Sequence, residues 1–205
     1  MMTSPEDILE YWFGTDESDP GERSDVWWGQ VDDQEALDRE IEEEFGEAVE
    51  EAFRGGFQEW REESETCLAY VILLDQFPRH IYRGDAKAFE GGDLAVSAVQ
   101  SARERGLDRE LDVPQRVFLY MPLMHAEDRA VQEESVKAFE ELVEEAPEET
   151  RGMAQGSLDY AREHAEIVRE FGRYPHRNVA LGRESTDAER EYLEESGRYY
   201  GQEPD

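Results

Sequence analysis

The segment 169–183 concentrates side chains that bind anions. It contains four arginines and one glutamate, a formal charge of +3, in a chain whose net charge is -32. Arg173, Arg177 and Arg183 are three of these arginines, and His176 lies among them. A guanidinium group stays charged at every relevant pH and matches the geometry of carboxylate and phosphate oxygens. We therefore expect this segment to bind an anion, which is either a carboxylate of the fold or an external ligand.

A second polar segment, 74–84, places Asp75, Arg79 and Arg83 around Pro78. Helical spacing puts Asp75 at the end of an apolar stripe, and we expect Pro78 to stop the helix after residue 77. A loop at the end of a helix is a common position for groups that bind a ligand. The alternative is a structural ion pair between Asp75 and an arginine, which would fix the loop.

Three histidines are candidates for proton transfer. His125 and His164 each share a helical stripe with apolar residues, so both imidazoles should face the core. One explanation is a buried histidine that is hydrogen-bonded to a neighbour. The presence of His176 in the arginine-rich segment also favours chemistry, because imidazole titrates near neutral pH. The histidines lack the His-x-x-x-His and His-Glu-x-x-His spacings of metal sites, so we predict no metal.

Other common sites are missing from the sequence. It contains no glycine-rich phosphate loop, Gly-x-Ser-x-Gly elbow or dinucleotide fingerprint, so we predict no cofactor. Cys67 has no cationic neighbour in sequence, which favours a core residue over a nucleophile. As the single cysteine it forms no internal disulfide, which predicts a reducing, cytoplasmic environment. No apolar run approaches the roughly 20 residues that span a bilayer.

Helical periodicity dominates the chain, and no segment alternates with period two as a strand would. We predict an all-α protein in which antiparallel helix pairs form a layered bundle or superhelix. The predicted helices cover about 5–13, 33–54, 64–77, 93–105, 114–125, 128–145, 150–171 and 186–197. Because no Gly- or Ser-rich linker interrupts them, we predict one domain over 1–205, with a frayed tail at 201–205.

The charge composition is typical of adaptation to high salt. The chain has 53 Asp and Glu against 21 Lys and Arg, and only two of these bases are lysines. At 1 M salt the Debye length falls to about 3 Å, which screens the repulsion between surface acids. We therefore expect stability to rise with KCl. The same charge repels nucleic acids and anionic membranes, so we predict neither as a partner. An acidic mimic of nucleic acid or an acidic chaperone is the alternative, but neither needs a cluster of arginines.

Several motifs resemble a known family. They are LDQFPR at 74–79, YRG at 82–84, YMPLMHAED at 120–128, FGRYPHRN at 171–178 and LGR at 181–183. The chain is similar, from residue 8 onward, to the bacterial domain-of-unknown-function family 924. This resemblance implies a tetratricopeptide-like helical fold and supplies no activity. The family usually has asparagine at the position of His80, so His80 is not a candidate.

The candidate site consists of motif positions at which charge or periodicity also indicates chemistry: Asp75, Arg79, Arg83, His125, His164, Arg173, His176, Arg177 and Arg183. We expect a polar pocket for a small carboxylated or phosphorylated molecule, in which Arg79, Arg173 and Arg177 hold the anion. Asp75 and the histidines would position it or move protons, as acid–base or hydrolytic chemistry requires. The alternative is a scaffold for a protein partner, with the motif residues as structural ion pairs. Both alternatives stay open at this point, as does whether the bound molecule reacts.

Overall fold

Helices form the regular structure of this protein, as its sequence periodicity predicts. The structure is a computed structural model that describes residues 3–15, 23–27 and 30–197, and no strand occurs within these ranges. The helices are α1 Pro5–Phe13, α2 Ser24–Trp27, α3 Gln34–Phe53, α4 Ser64–Val71, α5 Phe77–Ile81, α6 Gly92–Arg105, α7 Val113–His125, α8 Arg129–Glu145, α9 Glu148–Phe171 and α10 Asp187–Ser196. Short 3-10 turns lie at Gln58–Glu62, Ala86–Phe89, Leu107–Glu110 and Pro175–Arg177. The all-α prediction is confirmed.

Capping residues and glycines set the ends of these helices. Ser4 caps α1 and Thr186 caps α10, and in each case a carboxylate three residues later accepts a hydrogen bond from the N–H of the cap. Asp128 caps α8 by accepting hydrogen bonds from two backbone N–H groups. Gly106 ends α6 at φ 75°, a left-handed conformation that glycine adopts without strain. These predicted ends are confirmed.

The helix that precedes Pro78 does not stop after Phe77. Residues Ile72–Gln76 form a π-helical turn, in which the N–H of Phe77 bonds to a carbonyl five residues back, and α5 follows directly. The extra residue in this turn places Pro78 in the first turn of α5, where its missing N–H leaves no helical hydrogen bond unmade. The prediction that Pro78 ends the helix is therefore wrong.

Gly91 packs against the same irregular turn. An ideal Cβ at Gly91 would lie 2.4 Å from the carbonyl oxygen of Leu74 and 3.0 Å from its Cα. Real Cβ atoms do not approach backbone atoms so closely, so only glycine fits here without a shift of the chain. The neighbouring Gly92 has no such constraint, because a Cβ there would meet no atom within 4 Å.

Helices α7, α8 and α9 form an antiparallel layer. Arg116 in the first turn of α7 contacts Glu145 at the end of α8, with 2.8 Å between Nη1 and Oε2. Arg129 at the start of α8 donates to the carbonyl of Arg169 near the end of α9 over 2.9 Å. Because α7 and α9 are both antiparallel to α8, they run in the same direction, and they also pack against each other. The tetratricopeptide-like arrangement and the single domain remain predictions.

Aromatic side chains connect α1 and α2 to this layer. Trp12 is buried and its ring contacts those of Phe77 and Phe118, with centroids 5.7 and 5.5 Å apart. Trp27 contacts Phe118 edge to face at 5.2 Å, so this ring packs onto the body. The predicted tail at 201–205 lies outside the described residues.

Cys67 is buried, and burial raises the pKa of its thiol to about 11, which leaves it protonated and unreactive as the sequence indicates.

Among helices in the described ranges, none has both the length and the apolar character needed to cross a bilayer.

Candidate functional site

A cavity of about 720 Å³ brings together five of the nine predicted site residues. Arg79 projects from α5, His125 from the last turn of α7 and His164 from α9, while His176 and Arg177 come from the 3-10 turn Pro175–Arg177. We call His125, His164 and His176 the three cavity histidines. Residues about 100 positions apart in sequence therefore contribute to one wall, which the helical layer makes possible.

Asp75 lies behind this wall and organises it. Its carboxylate accepts hydrogen bonds from Nη2 of Arg79 at 3.1 Å, from Nε2 of Gln76 at 2.6 Å and from Nδ1 of His125 at 2.8 Å. Burial opposes ionisation of Asp75, but the interaction with His125 and the charge and hydrogen bond of Arg79 outweigh it and hold its pKa well below the usual range. The ionised carboxylate can only accept, so His125 carries its proton on Nδ1 and leaves Nε2 as an acceptor.

The three cavity histidines are neutral near pH 7. Burial is the main cause in each case, and it lowers the pKa of His125 and His164 to about 4 and that of His176 to about 2. The charges of Arg79 and Arg177 lower all three values further, since a second cation nearby disfavours imidazolium. His164 donates from Nδ1 to the carbonyl of Tyr160 at 2.9 Å. These rings therefore present neutral nitrogen atoms to a cationic cavity.

Arg177 is a buried cation, with only 6% of its surface exposed. Its Nη1 donates to the carbonyl of His125 at 2.9 Å, and its guanidinium lies over the rings of Phe89 and Tyr174, 4.6 and 4.4 Å from their centroids. Among the described residues, no carboxylate lies within 4.0 Å of this group, and its Nε makes no hydrogen bond. Burial and then the nearby charge of Arg79 lower the pKa of Arg177 to about 10, so it remains charged at neutral pH.

Tyr174 fixes the turn that carries Arg177 and His176. Its buried hydroxyl donates to the carbonyl of Met124 and accepts a hydrogen bond from Nε2 of Gln132 over 2.7 Å. Because Met124 is adjacent to His125, this contact anchors the turn to the end of α7. Tyr174 therefore positions His176 and Arg177. The sequence does not indicate which groups its hydroxyl contacts.

Arg83 lies away from the cavity. Its Nε and Nη2 donate to the two oxygens of Asp38 at 2.8 and 3.0 Å, and Nδ1 of His80 lies 2.9 Å from the same carboxylate. Burial opposes ionisation of Asp38, but the hydrogen bonds from His80 and Arg83 outweigh it and lower the pKa of the carboxyl strongly. This group joins α3 to the end of α5.

Arg173 and Arg183 are also paired with carboxylates. Arg173 binds both oxygens of the buried Glu189 at 2.6 and 2.8 Å, and hydrogen bonds from Arg173 are the main reason why the pKa of Glu189 falls to about 2. Arg183 binds both oxygens of Glu127 at 2.6 and 2.9 Å and the carbonyl of Tyr174 at 3.1 Å. The Arg173–Glu189 pair holds the two ends of the segment 172–189 together, and the Arg183–Glu127 pair attaches this segment to the body. Neither arginine lines the cavity.

The rest of the cavity wall is largely apolar. Methionine and aromatic side chains make up much of it: Trp27, Phe89, Met121, Met124, Met153 and Tyr160. Phe89 and Met153 are not among the predicted site residues. A usable signal existed for Met153, because it shares the α9 stripe with His164, but apolar stripes occur on every core helix and do not identify a cavity.

A second cavity, of about 440 Å³, adjoins the first. Arg79, Phe89, His125 and Arg177 line both cavities, so these four side chains form the boundary between them. In the described ranges, no group of three or more His, Cys, Asp or Glu side chains has an arrangement that could hold a metal ion.

Comparison with known proteins places the chain in a family. Residues 8–197 match the family described as a bacterial protein of unknown function, DUF924. A solved structure of a protein of unknown function from Agrobacterium tumefaciens is similar, with 34% sequence identity, a TM-score of 0.75, and coverage of 93% of this chain and 97% of that chain. Among curated proteins, none matches this chain significantly. The chain belongs to the DUF924 family of bacterial proteins.

Proposed function

We propose that this protein binds a small organic anion, carboxylated or phosphorylated, through Arg177 and Arg79 in the larger cavity. The observation that carries this proposal is the buried guanidinium of Arg177, which has no carboxylate within 4.0 Å among the described residues. A buried cation without a carboxylate is costly, because the hydrogen bond to the carbonyl of His125 and the two ring contacts replace only part of its lost hydration. A bound anion would offset this cost.

The distribution of acids supports the proposal. The chain contains 53 Asp and Glu, yet none of them is among the described residues that line the larger cavity. Asp75 lies nearby, but its oxygens are already engaged by Arg79, Gln76 and His125. The charged side chains among the described residues that line this cavity are Arg79, which contacts Asp75, and Arg177, which has no carboxylate within 4.0 Å among the described residues.

The histidines extend the proposal to proton transfer. An anion bound beside Arg79 and Arg177 would offset the two charges that help to keep the cavity histidines neutral, and their pKa values would rise on binding. His125 is the best placed of them, because Asp75 fixes its tautomer and orientation while Nε2 remains an acceptor. In acid–base chemistry on the ligand, His125 would accept the proton and Asp75 would be the positioning residue.

The scaffold hypothesis assigns the motif residues to structural ion pairs. Arg83, Arg173 and Arg183 fit that description, since each binds a carboxylate through two nitrogen atoms. Arg177 does not fit it. The two groups of arginines therefore support different roles.

Titration calorimetry with acetate, benzoate and inorganic phosphate, at a fixed KCl concentration, tests the proposal. We expect at least one of these anions to bind, and we expect Arg177→Met to weaken that binding by about ten- to a hundred-fold, the value of a charge-assisted hydrogen bond. Arg83→Met is the matched control and should bind as the parent does, because Arg83 lies outside the cavity. Binding that is equal in the parent and in Arg177→Met would overturn the proposal, as would the absence of binding by these three anions and by their longer homologues alike.

A further inference from the structure

We infer that the anion carries an apolar chain or ring, which lies along α9 away from Arg177, an inference that rests on the function proposed above. The cavity is far larger than an acetate or phosphate ion needs, at about 720 Å³. The wall is polar and charged at one end and mainly apolar at the other. The bound molecule should therefore carry its charge at one end and an apolar group at the other.

One stripe of α9 gives the cavity its length. The lining residues on this helix are Met153, Gly156, Ser157, Tyr160 and His164. Met153, Ser157, Tyr160 and His164 are spaced by three or four residues, and Gly156 directly precedes Ser157, so these residues share one face. Eleven residues of α-helix separate the first from the last, a distance of about 16 Å. An extended chain of about eight carbon atoms fits within this length.

The polar groups lie at one end of the stripe. The ring of His164 is 6.4 Å from that of His125 and 5.5 Å from that of Tyr174, the residue whose ring Arg177 covers. His125 is the last residue of α7, and His164 lies about two turns before the end of α9, which runs in the same direction. The carboxylate or phosphate of the ligand should therefore lie at this end.

Apolar groups dominate toward the other end. Met121 lies one turn before His125 on α7, and Met153 lies three turns before His164 on α9. Trp27 contacts Phe118, which is a further turn toward the start of α7, so the indole also lies toward this end. Methionine side chains are flexible and polarisable, and they adapt to chains and rings of different shape.

Gly156 keeps part of this wall open. It lies in the middle of α9, where glycine costs about 1 kcal/mol relative to alanine. A Cβ at this position would meet no atom within 4 Å, so packing does not explain the glycine. Because Gly156 is exposed and lines the cavity, a side chain there would project into the space in which we place the apolar part of the ligand.

A homologous series of carboxylates, from acetate through butanoate to octanoate, tests this inference by calorimetry at fixed KCl. Each buried methylene should strengthen binding about four-fold. The affinity of octyl phosphate relative to that of inorganic phosphate gives the same comparison for a phosphate head group. The series that binds more tightly shows whether the site prefers a carboxylate or a phosphate. Octanoate and octyl phosphate that bind no better than acetate and phosphate would overturn the inference and leave the proposed function intact. If no member of either series binds, the proposed function itself fails.

A pair of glycine variants locates the chain within the cavity. Gly156→Trp should weaken octanoate binding at least ten-fold and leave acetate binding unchanged. Gly152→Trp is the matched control: this residue lies one turn earlier on α9, is also unconstrained by neighbours, and does not line the cavity. Equal octanoate binding by the two variants would contradict the placement along α9, and a melting temperature measured for each shows that both are folded.

Discussion

Replacement of Arg177 by methionine separates a binding role from a packing role. Burial lowers the pKa of Arg177 from its ordinary value to about 10, which corresponds to about 3 kcal/mol of cost for the charged form in the folded state. This cost is fully present below pH 10, where the group is charged in both states, and it disappears as the pH rises past the ordinary pKa of arginine. Arg177→Met removes this cost at neutral pH.

The same substitution loses favourable contacts. The hydrogen bond to the carbonyl of His125 contributes about 1.5–3 kcal/mol, because its donor is charged. The contacts with the rings of Phe89 and Tyr174 add about 0.5–2 kcal/mol. The central values of these two lost contributions together nearly equal the cost that is removed with the buried charge. We therefore expect the free energy of unfolding of Arg177→Met to stay within about 1 kcal/mol of the parent.

Arg183→Met provides the contrast. It breaks a bidentate pair and leaves Glu127, whose side chain is 23% exposed, without its main cation. Loss of one partner of a buried pair costs about 3–5 kcal/mol, and the partial exposure reduces our expectation to about 3 kcal/mol. Urea denaturation of both variants at the same molar KCl concentration, extrapolated linearly, measures the difference. If Arg177→Met loses as much stability as Arg183→Met, Arg177 is a packing residue and the argument for a ligand fails.

Three other predictions concern the fold. Gly91→Ala should lose about 2–3 kcal/mol of stability through the clash with the carbonyl of Leu74, whereas Gly92→Ala should not, and thermal melts of the pair check this. Because the unfolded chain protonates histidines that the native state keeps neutral, stability should fall as the pH drops from about 6.5 toward 4, by about 1.4 kcal/mol per pH unit for each cavity histidine. Urea denaturation at several pH values measures this slope, and His176→Gln should reduce it by the contribution of one histidine. An unchanged slope would contradict the neutral state that we assign to His176. Melting temperatures should rise from dilute buffer to molar KCl, and a constant value would remove the interpretation of the surface acids as an adaptation to salt.

Local rules predicted the helices well because their ends depend on neighbouring residues. The caps at Ser4 and Thr186 and the glycine at 106 act within one turn, so their effects are legible in the sequence. Pro78 is the exception. A π-helical turn before it changes the register by one residue, and the sequence does not reveal that the chain adopts such a turn.

The sequence located the charged residues of the site but could not sort them. The acids that neutralise Arg83, Arg173 and Arg183 lie 45, 16 and 56 positions away in the chain. With 53 acids available, no pattern identifies which arginine has a partner and which has none. That distinction depends on tertiary packing, and here it separates three structural arginines from Arg177, the residue on which the proposed function depends.

The predicted salt environment sets a further requirement on the cavity. At about 1 M salt the Debye length is about 3 Å, so the negative surface does little to repel or attract a ligand. Chloride at that concentration would compete for Arg177 if charge alone determined binding. An apolar chain provides the discrimination that charge does not: at about four-fold per methylene, six buried methylenes favour the organic anion by about four thousand-fold. A ligand at a submillimolar concentration could then compete with molar chloride, which would explain why an anion-binding end and a methionine-rich wall occur in one cavity.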